Sequence, residues 1–186
     1  MNLYHPANKL QDKKQELVQL FRELGVLHKE PQTAKSADGI KVSPYYVDVK
    51  KAYGDPKALR LISEIFAKKI SSLNSDQSYK PTFVVSSGHN GVPIASMVAA
   101  NLDLKFTMVR DRPKNHTDGG YLDGYIPVEG DKAVLIADEL VLGGSARKIA
   151  QAINPVPVVH YLFVVSRSTA KMGISQYSIL RPVELF

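Results

Sequence analysis

The chain has 186 residues, 44% of them hydrophobic and 23% charged, which is enough for one domain around a buried core and unlike disordered, collagenous or membrane-spanning compositions. It has no cysteine, which excludes disulfide scaffolds, thiolate nucleophiles and cysteine metal sites together. The net charge of +6 reads either as a lysine-rich solvated surface or as a surface built for polyanions, and the even spread of basic residues does not separate the two.

The first residues, Met1-Asn2-Leu3-Tyr4-His5-Pro6, show no basic head ahead of an apolar stretch. No secretory signal is expected, and the cytoplasm is the default compartment. Between Lys9 and Lys29, residues Leu17, Leu20, Phe21, Leu24 and Leu27 recur at three- and four-residue spacing, which predicts an amphipathic helix. A polar, glycine-containing stretch follows from Glu30 to Val42, then a short extended run from Tyr45 to Val49. Asp55-Pro56 starts the next helix, with Asp as the capping acceptor and Pro at the first helical position. Leu59, Ile62, Ile65, Phe66 and Ile70 form its buried face, and it is expected to stop before Ser71.

From residue 81 short apolar, β-branched runs alternate with helical patterns. Strands are predicted at Thr82–Val85, Phe106–Val109, Ala133–Ala137 and Val158–Val165, with helices at Val92–Leu102 and Ser145–Ile153. The longest apolar run, Val156 to Val165, contains Pro157, His160 and Tyr161 and is too short to cross a bilayer. Continuous apolar strands separated by helices predict an α/β fold, a central and mostly parallel sheet flanked by helices, with its core at about 80–167 of a single domain. Ligands of such sheets bind beyond the carboxyl ends of the strands. The segments after residues 85, 109, 137 and 165 therefore matter most.

After the third strand stand Asp138-Glu139, then Leu140-Val141-Leu142, then Gly143-Gly144-Ser145-Ala146 opening a helix. Unpaired backbone N–H groups at such a turn favour a phosphate, and two acids can accept hydrogen bonds from neighbouring sugar hydroxyls. Neither the Gly-Lys-Ser/Thr of a Walker loop nor the Gly-x-Gly-x-x-Gly dinucleotide fingerprint is present. The segment resembles the ribose-phosphate loop of type I phosphoribosyltransferases, with Leu142 where family members usually place Thr. The stretch Arg110-Asp111-Arg112-Pro113-Lys114-Asn115-His116, followed by Gly119-Gly120, resembles the mobile catalytic loop of the orotate-using members. Ser87-Gly88-His89-Asn90-Gly91-Val92-Pro93 resembles their diphosphate loop, and Ser43-Pro44-Tyr45-Tyr46 their N-terminal signature.

This resemblance implies a type I phosphoribosyltransferase fold with a small N-terminal hood (about 1–50), acting as an orotate phosphoribosyltransferase on phosphoribosyl diphosphate. It implies catalytic roles for Lys114, Arg110, His116 and Asp138. It implies donor contacts from Asp138, Glu139, Leu142, Gly143, Gly144, Ser145, Ala146, Ser87 and Gly88. It implies base contacts from Lys35 (with Lys41 as competitor), Tyr45, Tyr46 and Arg167. Mg²⁺ would arrive on the donor without a protein cage of carboxylates, and the lid would be shared across a homodimer; neither a membrane nor nucleic acid is an expected partner. A phosphoribosyltransferase for a purine base, and a donor-sensing regulator without turnover, are the alternatives.

Overall fold

The computed structural model describes residues 6–29, 32–36, 39–43, 45–73, 76–113, 120–167, 171–173 and 175–185. Helix α1 (Pro6–Glu23) buries Leu17 and Phe21. It ends short of the expected Lys29 because Gly25 takes a left-handed turn at φ 61°, after which Val26 N–H closes on the Phe21 carbonyl at 2.9 Å. Strand β1 (Leu27–His28) pairs antiparallel with β4 (Tyr46–Val47), and between them β2 (Gln32–Ser36) and β3 (Gly39–Ser43) form a separate antiparallel pair. A 3-10 helix, Val49–Gly54, follows. Helix α2 (Pro56–Leu73) starts as expected: Asp55 Oδ1 accepts from the N–H groups of Lys57 at 2.7 Å and Ala58 at 2.9 Å.

The main sheet comprises β5 (Phe83–Ser87), β6 (Lys105–Val109), β7 (Leu122–Gly124), β8 (Ala133–Leu140), β9 (Val158–Ser166) and β10 (Gln176–Leu180). Its order is β10-β9-β8-β5-β6-β7, parallel throughout except for β7, which pairs antiparallel with β6. Helix α3 (Gly88–Leu102) connects β5 to β6, and α4 (Gly144–Ala152) connects β8 to β9. A short α5 (Pro182–Leu185) closes the described chain.

Alternation along the strands splits the core into two layers. Val84, Val134, Ile136, Leu162 and Val164 face α1, α2 and α3, whereas Phe83, Val85, Leu135 and Phe163 face α4 through Ala146 and Ile149. Connections leave β5 and β8 in opposite directions along the sheet, so these neighbouring strands mark the switch point where a cleft opens. Among the described residues no helix is long and apolar enough to cross a membrane.

Candidate active site

Strand β8 runs three residues past its expected end, because Glu139 and Leu140 still pair with Val165 and Ser166 of β9. The acid pair therefore lies within a strand, where successive side chains leave on opposite sides. Asp138 receives hydrogen bonds from the Asn90 side chain and from the backbone N–H groups of Asp138 and Glu139. Burial still pushes its carboxyl above the usual range, with the positive charge of Lys50 pulling the other way.

Glu139 turns to the β9 side. Arg167 Nη2 donates to its Oε2 at 2.7 Å, and Arg167 Nε lies against Oε1 in the same ion pair. Arg167 is itself buried at 7% exposure, gives Nη1 to the Tyr45 carbonyl at 3.1 Å, and holds its guanidinium 5.7 Å from the centre of the Tyr46 ring. Burial pushes the Glu139 carboxyl up, against the pull of Arg167 and with the push of Asp138.

The turn after β8 needs its glycines. Gly143 has φ 84°, and a Cβ there would lie 2.4 Å from Met172 Sδ. Arg147 braces the turn from outside, its Nη2 donating to the Leu142 carbonyl at 2.8 Å. Gly144 is buried at the start of α4 and Ser145 exposed beside it, so the helix opens toward the cleft with its N–H groups forward.

Across the cleft α3 begins at Gly88, four residues before the predicted start at Val92, with Pro93 tolerated near its first turns. Gly91 lets this helix approach β8 closely, since a Cβ there would fall 2.4 Å from Ser86 Oγ and 3.2 Å from the Ile136 carbonyl. Ser86 Oγ donates to that same carbonyl at 2.7 Å. The Tyr53 hydroxyl, from the 3-10 helix, donates to the Asn90 carbonyl. Burial pushes the Tyr53 phenol well up, so it remains a donor.

A cleft of about 480 Å³ lies between these two helix starts, lined among others by Ser87, Asn90, Asp138, Glu139 and Ser145. A neighbouring hollow of about 700 Å³ shares Ser87, Asp111 and Ser145 with it and adds Arg110 and Lys148. Arg110, at the end of β6, pairs with Asp123 at 3.0 Å, and its N–H donates to the Tyr121 carbonyl at 2.7 Å.

The fold thus brings Ser87, Gly88, Asp138, Glu139, Leu142, Gly143, Gly144, Ser145 and Ala146 to one cleft. Tyr45, Tyr46 and Arg167 join it through Glu139. Lys114 and His116 lie outside the described residues. Lys35 is described in backbone only, paired with Ile40, and Lys41 likewise, paired with Ala34. Asn90 as the donor to Asp138, Tyr53 and Lys50 were not foreseen. Only the 3-10 helix makes the last two relevant, and no periodicity announces it.

Among the described residues no group of three or more His, Asp or Glu could hold a metal ion. A mostly parallel sheet with two glycine-bearing helix starts facing an in-strand acid pair defines the class, a type I phosphoribosyltransferase. A curated orotate phosphoribosyltransferase of Methanocaldococcus jannaschii is 33% identical over 155 residues, covering 83% of this chain and 82% of its own. The chain belongs to the orotate phosphoribosyltransferase family. The solved orotate phosphoribosyltransferase of Mycobacterium tuberculosis H37Rv superposes with a TM-score of 0.70 at 23% identity, covering 93% of this chain and 98% of its own. An adenine phosphoribosyltransferase from Leishmania donovani shares the fold at a TM-score of 0.58 and 19% identity, covering 91% and 81% of the two chains. The fold alone thus leaves the base open. No family model matches the sequence.

Proposed function

We propose that the chain transfers the phosphoribosyl group of 5-phosphoribosyl 1-diphosphate to orotate, giving orotidine 5′-monophosphate and pyrophosphate. The observation that carries the donor half of this reading is the Asp138 carboxylate, held in the cleft by a neutral amide and flanked by two helix starts, and the similarity to curated orotate phosphoribosyltransferases supports the acceptor. In this reading Asp138 accepts from the ribose hydroxyls, and the N–H groups of Leu142 to Ala146 receive the 5-phosphate. Leu142 offers no hydroxyl, so that grip rests on the backbone. Ser87 and Gly88 meet the diphosphate, while Lys114, Arg110 and His116 close over it and stabilise the charge that builds on the leaving group.

On the base side Tyr45, Tyr46 and Arg167 flank orotate under the N-terminal hood, with Lys35 or Lys41 as an added cation. The orotate carboxylate competes with Glu139 for the Arg167 guanidinium, whose fork fits either carboxylate. Displacing Glu139 would release it to join Asp138 at the ribose. Mg²⁺ fits this cleft as a hydrated cation carried by the diphosphate, with Asp138 and Asp111 able to accept hydrogen bonds from its waters, and it supplies charge neutralisation. The absence of cysteine suits a cytoplasmic setting, and a lid shared between two copies makes the working unit a homodimer.

The test is orotate consumption followed by ultraviolet absorbance with donor and Mg²⁺, with adenine and hypoxanthine as competing acceptors. Turnover of a purine and none of orotate would overturn the reading.

A further inference from the structure

The 3-10 helix Val49–Gly54 has three residues per turn, so positions i and i+3 stack on one face and its six residues sort into three pairs. Val49 and Ala52 are buried in the core. Lys51, on the next face, donates its ammonium to the Gly25 carbonyl at 3.2 Å, bracing the end of α1. The remaining pair is Lys50 and Tyr53. Tyr53 reaches the Asn90 carbonyl in the first turn of α3, which directs this face at the diphosphate side of the cleft. Lys50 is exposed, shares the face of Tyr53 through the three-residue repeat, and forms no ion pair among the described residues.

The cleft itself is short of positive charge. Among its described lining residues are Asp111, Asp138 and Glu139 and no lysine or arginine. Arg167 neutralises Glu139 from behind, and Arg147 is turned to the Leu142 carbonyl. The Asn90 side chain gives Asp138 only a neutral amide. A diphosphate entering this cleft meets carboxylates and backbone dipoles, with Arg110 and Lys148 only in the neighbouring hollow, and a further ammonium beside the start of α3 lowers the cost of bringing its charge in.

We propose that Lys50 is a diphosphate-binding residue, an ammonium that the 3-10 helix carries over the start of α3 to offset the donor's charge where Asn90 cannot. The proposal rests on the donor-binding part of the function above and is independent of which base accepts the sugar. The positive charge of Lys50 is already felt at Asp138, on the floor of the same cleft.

The test is titration of the full chain with pyrophosphate in the presence of Mg²⁺ by calorimetry, alongside steady-state kinetics. Lys50→Ala should weaken pyrophosphate binding and raise the donor KM by roughly tenfold, the scale of one charged hydrogen bond, and leave the orotate KM unchanged. Lys50→Arg should retain most of the affinity. Lys51→Ala removes the same charge one residue along and should leave pyrophosphate affinity as it is. Unchanged pyrophosphate affinity in Lys50→Ala would overturn the proposal, and so would an equal loss in Lys51→Ala, which would reduce the effect to bulk surface charge. A wild-type chain that binds pyrophosphate without consuming orotate would overturn the acceptor and leave the Lys50 result standing.

Discussion

Asp138 and Glu139 are consecutive residues of one strand, yet the two sides of β8 treat them differently. On the β9 side Glu139 meets a buried guanidinium that also holds the Tyr45 carbonyl, so its charge is cancelled and the N-terminal segment is tied to the sheet. On the β5 side Asp138 meets the amide of Asn90 and the distant charge of Lys50, and its carboxyl remains open to the cleft. Both carboxyls are pushed up by burial, but only one has a full counter-charge. One strand end thus supplies a structural brace and a ligand-facing acceptor at adjacent positions, because Arg167 at the end of β9 reaches one carboxyl and Asn90 at the start of α3 the other.

The largest effect should come from breaking the brace. Arg167→Leu leaves Glu139 buried and unpaired, which should cost about 3–5 kcal/mol of stability by urea unfolding. The double variant Arg167→Leu/Glu139→Leu should recover most of that loss, since a buried pair can be replaced by apolar side chains at little cost. A single variant as stable as wild type would show that the two sides of β8 are not different in kind.

Next comes the open side. Asp138→Asn keeps the shape and an acceptor for Asn90 but withdraws charged hydrogen bonds from the ribose, and should lower donor kcat/KM roughly hundredfold. The same variant should melt higher than wild type near neutral pH, because the folded state disfavours the charge that Asn removes. A drop in both activity and melting temperature would make Asp138 another structural acid.

Backbone geometry on that side should give a smaller effect. Gly91→Ala would drive a Cβ into Ser86 Oγ at 2.4 Å and crowd the Ile136 carbonyl, costing roughly 1–3 kcal/mol and moving Asn90 away from Asp138. Adding Ser86→Ala removes the nearer obstacle. The double variant should therefore be more stable than Gly91→Ala alone, as measured by thermal melting, and equal stability would mean that the close approach of α3 to β8 sets nothing.

The same comparison shows what could be read from the residues. The four parallel strands, α2 with its Asp55 cap, and the cleft at the ends of β5 and β8 follow from periodicity and sheet rules, which are local or nearly so. The pairing of Glu139 with Arg167 is not legible, because it joins residues on separate strands and depends on β8 continuing beyond Ala137. Periodicity also hid β2 and β3, whose polar, glycine-containing residues pair with each other without an apolar alternation. It hid β10 for a related reason, since Gln176–Leu180 is apolar only toward its end. The 3-10 helix reads as an extended run followed by lysines, so Lys50 and Tyr53 gain meaning only once three residues per turn put them on one face.

The smallest expected effect is on the pH dependence of stability, and it separates the two acids without a substrate. A carboxyl pushed up in the folded state binds its proton more tightly there than in the unfolded chain, so its stabilising contribution is complete below the ordinary value near 4 and is lost as pH rises through the folded value. Asp131 works in the opposite sense, since against the upward push of desolvation the hydrogen bonds from Tyr125, Val128 and Thr82 together hold it low, and its contribution is lost as pH falls. Comparing each variant with wild type cancels that background. In urea unfolding from pH 4 upward, Asp138→Asn should lose part of the wild-type decline and gain on wild type as pH rises. Glu139→Gln should gain in the same direction, since its carboxyl is also pushed up by burial, but the pull of the Arg167 charge that wild type keeps should make its gain the smaller. Identical pH profiles for the two variants would mean that Arg167 does not distinguish Glu139 from its neighbour.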